Sequence, residues 1–208
     1  MLTVMPPRRL YDAGYRLPRV PWELGPREEL VSLVRDGVLP PGRAIDLGCG
    51  TGANSVFLAE NGFDVTGVDF STVALAKASQ KADAAGVSVA FVHDDLTALR
   101  HVQGPFDVLV DYGTLDDLST KDRDRYVRSV VPLAAPGARF LLWCFRWPPR
   151  RWDRWLGFMP IAPGEVADRF GDDFAIEQIA GTERPRMRRL IPGFAAFLLT
   201  RRMWTEAS

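Results

Sequence analysis

The chain has 208 residues, and its 26 lysines and arginines are cancelled by 26 aspartates and glutamates, so no net charge draws it to nucleic acid or to an acidic surface. At this length one domain can bury a full core without covalent staples, and 47% hydrophobic with 25% charged residues is an ordinary globular composition. Two cysteines, Cys49 and Cys144, supply neither a disulfide framework nor metal-ligand spacing, and no run approaches the roughly 18 apolar residues of a membrane span.

Residues 1–25, rich in proline, arginine and aromatics, show no sustained period and read as an arm or lid before a domain over 26–208. The first ten residues lack the apolar stretch of a signal peptide, and the two cysteines without a disulfide framework lead one to expect a reduced, cytoplasmic setting. Pro26 opens a short helix to about Arg35, and Pro40-Pro41-Gly42 breaks before a strand at Arg43–Leu47. A glycine turn then leads into a helix that ends at Glu60, with Ala53, Val56, Phe57 and Glu60 at helical spacing. A second strand spans Asp64–Val68. Ser71 caps an alanine-rich helix that stops at Gly86.

Strands at Val87–Val92 and Phe106–Val110 follow, and Ser119 with Asp122 is a capping-box signature for a helix through Leu133. Ala138–Phe145 is a continuous apolar run of the kind buried on both faces of a sheet. An aromatic and basic insertion at 146–160 comes next, then a helix near Glu165–Phe170, a strand Phe174–Ile179, a basic loop through Arg189 and a last strand Ala195–Thr200. Alternating strands and helices imply one mostly parallel sheet with helices on both faces.

Four apolar runs each close on an acid: Asp46, Asp69, the pair Asp94 and Asp95, and Asp111. Parallel strands place those carboxylates at the edge where open α/β sheets bind ligands. The first run enters A-I-D-L-G-C-G-T-G at 44–52. There Gly48, Gly50 and Gly52 allow close backbone approach, and the following helix offers N–H groups to an anion, with Asn54 adding a side-chain donor. An acidic rim beside such a turn suits a cationic, hydroxyl-rich ligand. S-adenosylmethionine has the sulfonium, ammonium, ribose diol and adenine amine to match. The turn also satisfies the dinucleotide pattern G-x-G-x-x-A, with Asp69 placed 21 residues after Gly48. A pyrophosphate would be repelled by Asp46 and the rim, whereas a cation is attracted.

D-L-G-C-G-T-G at 46–52, V-T-G-V-D-F-S at 65–71, F-V-H-D-D-L at 91–96 and F-D-V-L-V-D at 106–111 resemble, in order and spacing, the motifs of class I S-adenosylmethionine-dependent methyltransferases. V-P-W-E-L-G at 20–25 further resembles a segment of the thiopurine and tellurite-resistance group. The resemblance implies a single-domain, doubly wound, Rossmann-like α/β fold with a mostly parallel seven-stranded sheet and an antiparallel last strand. It makes Asp69 the acceptor for the ribose hydroxyls, with Phe70 and Ser71 beside the adenosine. Asp46, Gly48, Cys49, Gly50, Thr51 and Gly52 would form the cradle. Asp95 would accept from the adenine amine while the Leu96 N–H meets a ring nitrogen, Asp94 being the alternative in that doubled acid. Asp111 and Tyr112 would border the transferred methyl, and Trp22 would pack over the cofactor.

Methyl transfer is an in-line displacement at an activated carbon, so alignment and water exclusion supply much of the acceleration and no side-chain base is obligatory. For a hydroxyl acceptor a base helps, and the candidates are Asp116, Asp117, Tyr112, Tyr11 and Tyr15. His93 and His101 read as solvated or capping residues. The insertion interleaves Trp147, Trp152, Trp155 and Phe158 with Arg146, Arg150, Arg151 and Arg154. It reads as a lid over a lipophilic acceptor, as a patch for an anionic membrane surface, or as a helix packed on the sheet edge.

The expected function is transfer of a methyl group to oxygen, sulfur or nitrogen of a small or lipophilic acceptor, releasing S-adenosylhomocysteine, by a monomer or homodimer. The alternatives are a non-catalytic cofactor-binding or scaffolding module and, third, an NAD-linked oxidoreductase. Nucleic acid is not expected as a partner; its best support is R-P-R-M-R-R at 184–189.

Overall fold

The structure, a computed structural model, describes residues 7–17, 20, 23, 25–146, 159–181 and 193–203. Seven strands form one mixed sheet in the order β3-β2-β1-β4-β5-β7-β6. The chain divides into two compact units, Met1–Val102 and Gln103–Ser208.

The first unit contains α1 (Pro7–Tyr15), α2 (Glu28–Arg35), β1 (Arg43–Leu47), α3 (Ala53–Glu60), β2 (Asp64–Asp69), α4 (Thr72–Ala85) and β3 (Ala90–His93). Its strands are parallel, with Asp46 opposite Gly67, Leu47 opposite Val68 and Asp69 opposite His93. In this register Asp46 lies two places short of Asp69 and Asp94 one place past it, so the three apolar runs end within a few residues of one another on one edge. Ile45, Leu47, Leu58 and Val68 are wholly buried, each stabilising the unit by about 1.5 to 3 kcal/mol through removal from water. Along α4 the buried residues Ala74, Ala78 and Ala82 recur every fourth position, one helical face. Small side chains on that face let α4 approach closely, and the ideal Cβ of Gly52 would lie 2.8 Å from the Ala78 Cβ. Ser71 accepts from the Ala74 N–H at the start of α4.

The second unit contains β4 (Phe106–Tyr112), a 3-10 turn at Leu115–Asp117, α5 (Thr120–Val130), a 3-10 turn at Val131–Leu133, β5 (Ala134–Phe145), α6 (Glu165–Phe170), β6 (Phe174–Gly181) and β7 (Phe194–Arg201). β4 and β5 are parallel, whereas β7 runs antiparallel to both β5 and β6, the mostly parallel sheet with an opposed last strand that the motifs implied. Phe140, Phe170 and Phe174 meet edge to face, 5.8 to 6.2 Å between centroids, and tie α6 to the sheet. The buried residues of α5 are Arg123, Tyr126 and Val130, and Ser119 caps it through the Asp122 N–H.

β2, β4, β6 and β7 run one or two residues beyond the bounds read from the sequence, α5 gives way to a 3-10 turn after Val130, and three larger differences have a physical reason. β3 begins at Ala90 rather than Val87, because the Val87 N–H turns back to the Ala82 carbonyl and is spent in closing α4. β5 begins at Ala134 rather than Ala138, its pairing with β4 passing through a register shift between Phe106 and Val108. The arm contains a regular helix, α1, where no period was evident. Its Tyr11 and Tyr15 are one helical turn apart and pack with Val20, Val73 and Ala74, so tertiary contact organises a segment too short to hold a helix alone. Trp22 and residues 147–158 of the insertion lie outside the described residues.

Candidate functional site

In the first unit the glycine turn is fastened to β2 by its own backbone. Gly48 and Cys49 both donate to the Val68 carbonyl, at 2.8 and 2.9 Å, and Gly52 donates to the Cys49 carbonyl at 2.9 Å. The Gly50 N–H donates to Asp69 Oδ2 at 2.9 Å, and the Ser71 N–H to Asp69 Oδ1 at 2.8 Å. Thus the acid that ends β2 is held rigidly against the turn that follows β1. Burial pushes the Asp69 carboxyl upward; the Ser71 and Gly50 N–H groups oppose that rise and the facing Asp12 adds to it.

Asp46 is buried and accepts from the Ser55 hydroxyl at 2.6 Å. Its carboxyl is raised to about 6 by burial, with Ser55 opposing and Asp69 adding to the rise. The Cys49 thiol is buried and pushed up by burial, then by Asp46 and Asp69, which leaves it a small apolar filler. Thr51 accepts from Lys81 Nζ at 3.3 Å, and Asn54 Oδ1 accepts from the Arg27 N–H at 3.2 Å, so that oxygen braces the start of α2.

The doubled acid resolves into two geometries. The Asp94 N–H donates to the Asp69 carbonyl, and its carboxylate gathers the N–H groups of Asp95, Arg100 and His101 at 2.8 to 2.9 Å. Burial raises Asp94, but those three donors outweigh it and hold the carboxyl below its ordinary value. Asp95 Oδ1 accepts from the N–H and hydroxyl of Thr97, at 2.9 and 2.8 Å. Leu96 is buried, whereas Phe70 is half-buried. His93 meets the Phe70 carbonyl, and His101 is exposed.

In the second unit, Asp111 is fully buried, accepting from the Tyr126 hydroxyl and, at 2.8 Å, from the Thr114 N–H. Burial raises its carboxyl to about 7 against the lowering hydrogen bonds. Tyr112 is half-buried and stacks on Trp143 at 4.7 Å, which stacks in turn on Phe194 at 5.5 Å. Asp116 is buried, and among the described residues its Oδ1 has no hydrogen-bond partner. Burial, with Asp117 and Asp111 adding, pushes it well above the ordinary carboxylate range. The 3-10 turn carrying it is clamped by Arg123, whose Nε donates to the Leu115 carbonyl at 3.1 Å and whose Nη1 pairs with Glu165 at 3.0 Å.

Ser55, Tyr126 and Arg123 were not read from the sequence as site residues. Ser55 carried a signal, since it lies on the first turn after the glycines and can reach back to β1. Tyr126 and Arg123 carried none, because their partners Asp111, Leu115 and Glu165 belong to other elements and no helical or strand spacing relates them.

Asp111 gives a pH prediction. Its folded value near 7 lies above the ordinary unfolded value of about 3.9, so the folded state binds its proton more tightly. The associated stability is complete below the unfolded value and is lost as pH rises toward 7. Asp111→Asn does not titrate. Between pH 5 and 8 wild type should therefore lose about 2 to 3 kcal/mol relative to this variant, measured by urea unfolding; parallel slopes would refute it.

The family described as a methyltransferase domain matches residues 44–137. The chain is 31% identical over 145 residues to a 2-heptyl-1-hydroxyquinolin-4(1H)-one methyltransferase of Mycobacteroides abscessus, covering 65% of this chain and 63% of that protein. It is 33% identical over 153 residues to a demethylmenaquinone methyltransferase of Thermus thermophilus, covering 72% and 66%. The chain thus spans a little under two thirds of these relatives' lengths. A structure solved for the conversion of a disulfide bond into a thioacetal group during echinomycin biosynthesis superposes with a TM-score of 0.73 at 28% identity, covering 94% of this chain and 93% of that one. No helix among the described residues is long and apolar enough to cross a membrane. With the four motifs in order, the sheet order and these matches in agreement, the chain belongs to the class I S-adenosylmethionine-dependent methyltransferases.

Proposed function

We propose that this protein transfers the methyl group of S-adenosylmethionine to oxygen, sulfur or nitrogen of a small or lipophilic acceptor. The observation that carries the reading is the tie between Gly50 and Asp69. It joins the turn suited to the donor's carboxylate and the acid suited to its ribose into one preorganised element. Asp69, with Phe70 and Ser71, holds the adenosyl part; Gly48, Cys49, Gly50, Thr51 and Gly52 form the cradle, braced by Asp46 and Asn54. Asp95 and the Leu96 N–H take the adenine edge, with Asp94 shaping the loop that presents them.

Asp111 and Tyr112 border the transferred methyl, Asp111 by fixing the turn after β4. Asp116, whose Oδ1 has no partner among the described residues, suits a hydrogen bond to the acceptor's reacting atom. Two relatives whose names carry a heptyl-substituted hydroxyquinolinone and a demethylmenaquinone support a small, lipophilic acceptor. Residues 1–25 act as the arm and 26–208 as the catalytic domain. Trp22 belongs over the donor, and the insertion at 146–160 over the acceptor. A cytoplasmic setting accords with two free, buried cysteines.

The test is calorimetry with S-adenosylmethionine, followed by measurement of S-adenosylhomocysteine release with hydroxyquinolines, quinols, thiols and amines. Micromolar donor binding and turnover with at least one lipophilic acceptor are expected. Binding without turnover across the panel would favour a non-catalytic module. Stabilisation by a nicotinamide dinucleotide instead would overturn the donor assignment.

A further inference from the structure

The arm helix rests on the residues assigned to the donor. The Tyr11 ring meets Phe70 edge-on at 6.5 Å, Asp12 accepts a hydrogen bond from the Ser71 hydroxyl, and Tyr15 covers Gly50, whose ideal Cβ would lie 3.1 Å from the Tyr15 hydroxyl. Further along, Lys77 donates to the Leu17 carbonyl at 2.7 Å, and Lys81 links Glu23 to Thr51. With α1 in this position Asp69 is only 3% exposed. A nucleoside held by Asp69 and Phe70 cannot enter or leave freely unless α1 moves.

The attachment is light enough to open. Its apolar part is a small cluster in which Tyr15, Val20 and Ala74 are buried, with Tyr11 and Val73 packed against them, and segments with few buried contacts open at low cost. Its polar part centres on Ser71, whose oxygen accepts from the Ala74 N–H while its proton goes to Asp12. Asp12 therefore docks at the start of α4, where the helix end favours a negative charge. Asp12 and Asp69 also face one another around Ser71, and two neighbouring carboxylates repel until a cation joins them.

We propose that Asp12 is a positioning residue for the donor: its hydrogen bond to Ser71 latches α1 over the adenosyl site and retains a bound S-adenosylmethionine. The latch rests on the assignment of Asp69 and the glycine turn to the donor. It makes donor dissociation depend on a residue outside the four motifs. Donor binding, in turn, protects the arm.

Stopped-flow displacement of S-adenosylmethionine from the full chain tests it, comparing wild type, Asp12→Ala, Asp12→Asn, Ser71→Ala and the double variant Asp12→Ala/Ser71→Ala. Loss of a charge-assisted hydrogen bond should speed dissociation roughly tenfold or more in Asp12→Ala. Asp12→Asn, whose amide oxygen still accepts, should recover much of that loss. The double variant should be less affected than the two single effects combined. Arg16 is exposed, so saturating donor should slow tryptic cleavage there in wild type and much less in Asp12→Ala. Wild-type donor binding with unchanged Asp12→Ala dissociation, or fully additive effects in the double variant, would overturn the latch alone. Absence of donor binding by wild type would overturn the underlying assignment and the latch together.

Discussion

Asp69→Ala is expected to weaken S-adenosylmethionine binding by about 2 to 4 kcal/mol, since two charge-assisted hydrogen bonds to the ribose are lost with partial compensation by water. That is roughly a 30- to 1000-fold rise in dissociation constant. The carboxylate also organises the turn. Without it the Gly50 and Ser71 N–H groups lose their acceptors, and the cradle loosens. Against this, removing Asp69 relieves its repulsion of Asp46 and Asp12, so a folded variant is expected. Asp69→Asn separates the contributions, because its single oxygen preserves one acceptor while the charge is gone; its loss should be smaller. Calorimetry on folded Asp69→Ala giving wild-type affinity would remove Asp69 from the donor site.

What the sequence made legible follows from which features are local. Asp46 and Asp69 could be placed because each closes a short apolar run beside a glycine or a helix cap; parallel pairing then carries both toward one sheet edge, with Asp46 opposite Gly67 and two places short of Asp69. The fold followed from the same alternation. Asp94 and Asp95 could not be separated from letters alone. Which carboxylate turns back depends on how residues 95–101 close, and Asp94 takes the backbone donors of Arg100 and His101. Asn54 was read as a ligand donor through its amide nitrogen; its oxygen, in addition, accepts from the Arg27 backbone 27 residues away, a contact no local pattern encodes. One pair of tyrosines four residues apart is too little periodicity to reveal α1 in the arm, and the helix packs through Ala74 and Val73 on α4. Asp111 was legible as a strand-end acid. Its bond to Tyr126 was not, since it depends on where α5 crosses β4.

Gly52→Ala should combine two penalties that can be measured separately. Gly52 has φ +79, a left-handed conformation that costs an L-residue about 1 to 2 kcal/mol. Its new Cβ would lie 2.8 Å from the Ala78 Cβ, with the Ala78 Cα and the Phe91 ring at 3.2 Å, and such overpacking costs about 1 to 3 kcal/mol more. A total loss of about 2 to 5 kcal/mol in unfolding free energy is therefore expected. Gly62 supplies the control: it has φ +84, but its ideal Cβ meets only the Pro41 Cβ, at 4.0 Å, so Gly62→Ala should show the conformational cost alone, about 1 to 2 kcal/mol. The two variants should also part in donor affinity. Gly52 begins α3 beside the cradle, and displacing α4 to admit a methyl group shifts Ser71 and the turn that Asp69 holds. Gly62 ends α3 and leaves that geometry alone. Equal stability losses in the two variants would mean that α4 yields freely at Ala78, and the close approach of α3 and α4 would then not be what sets the shape of the donor site.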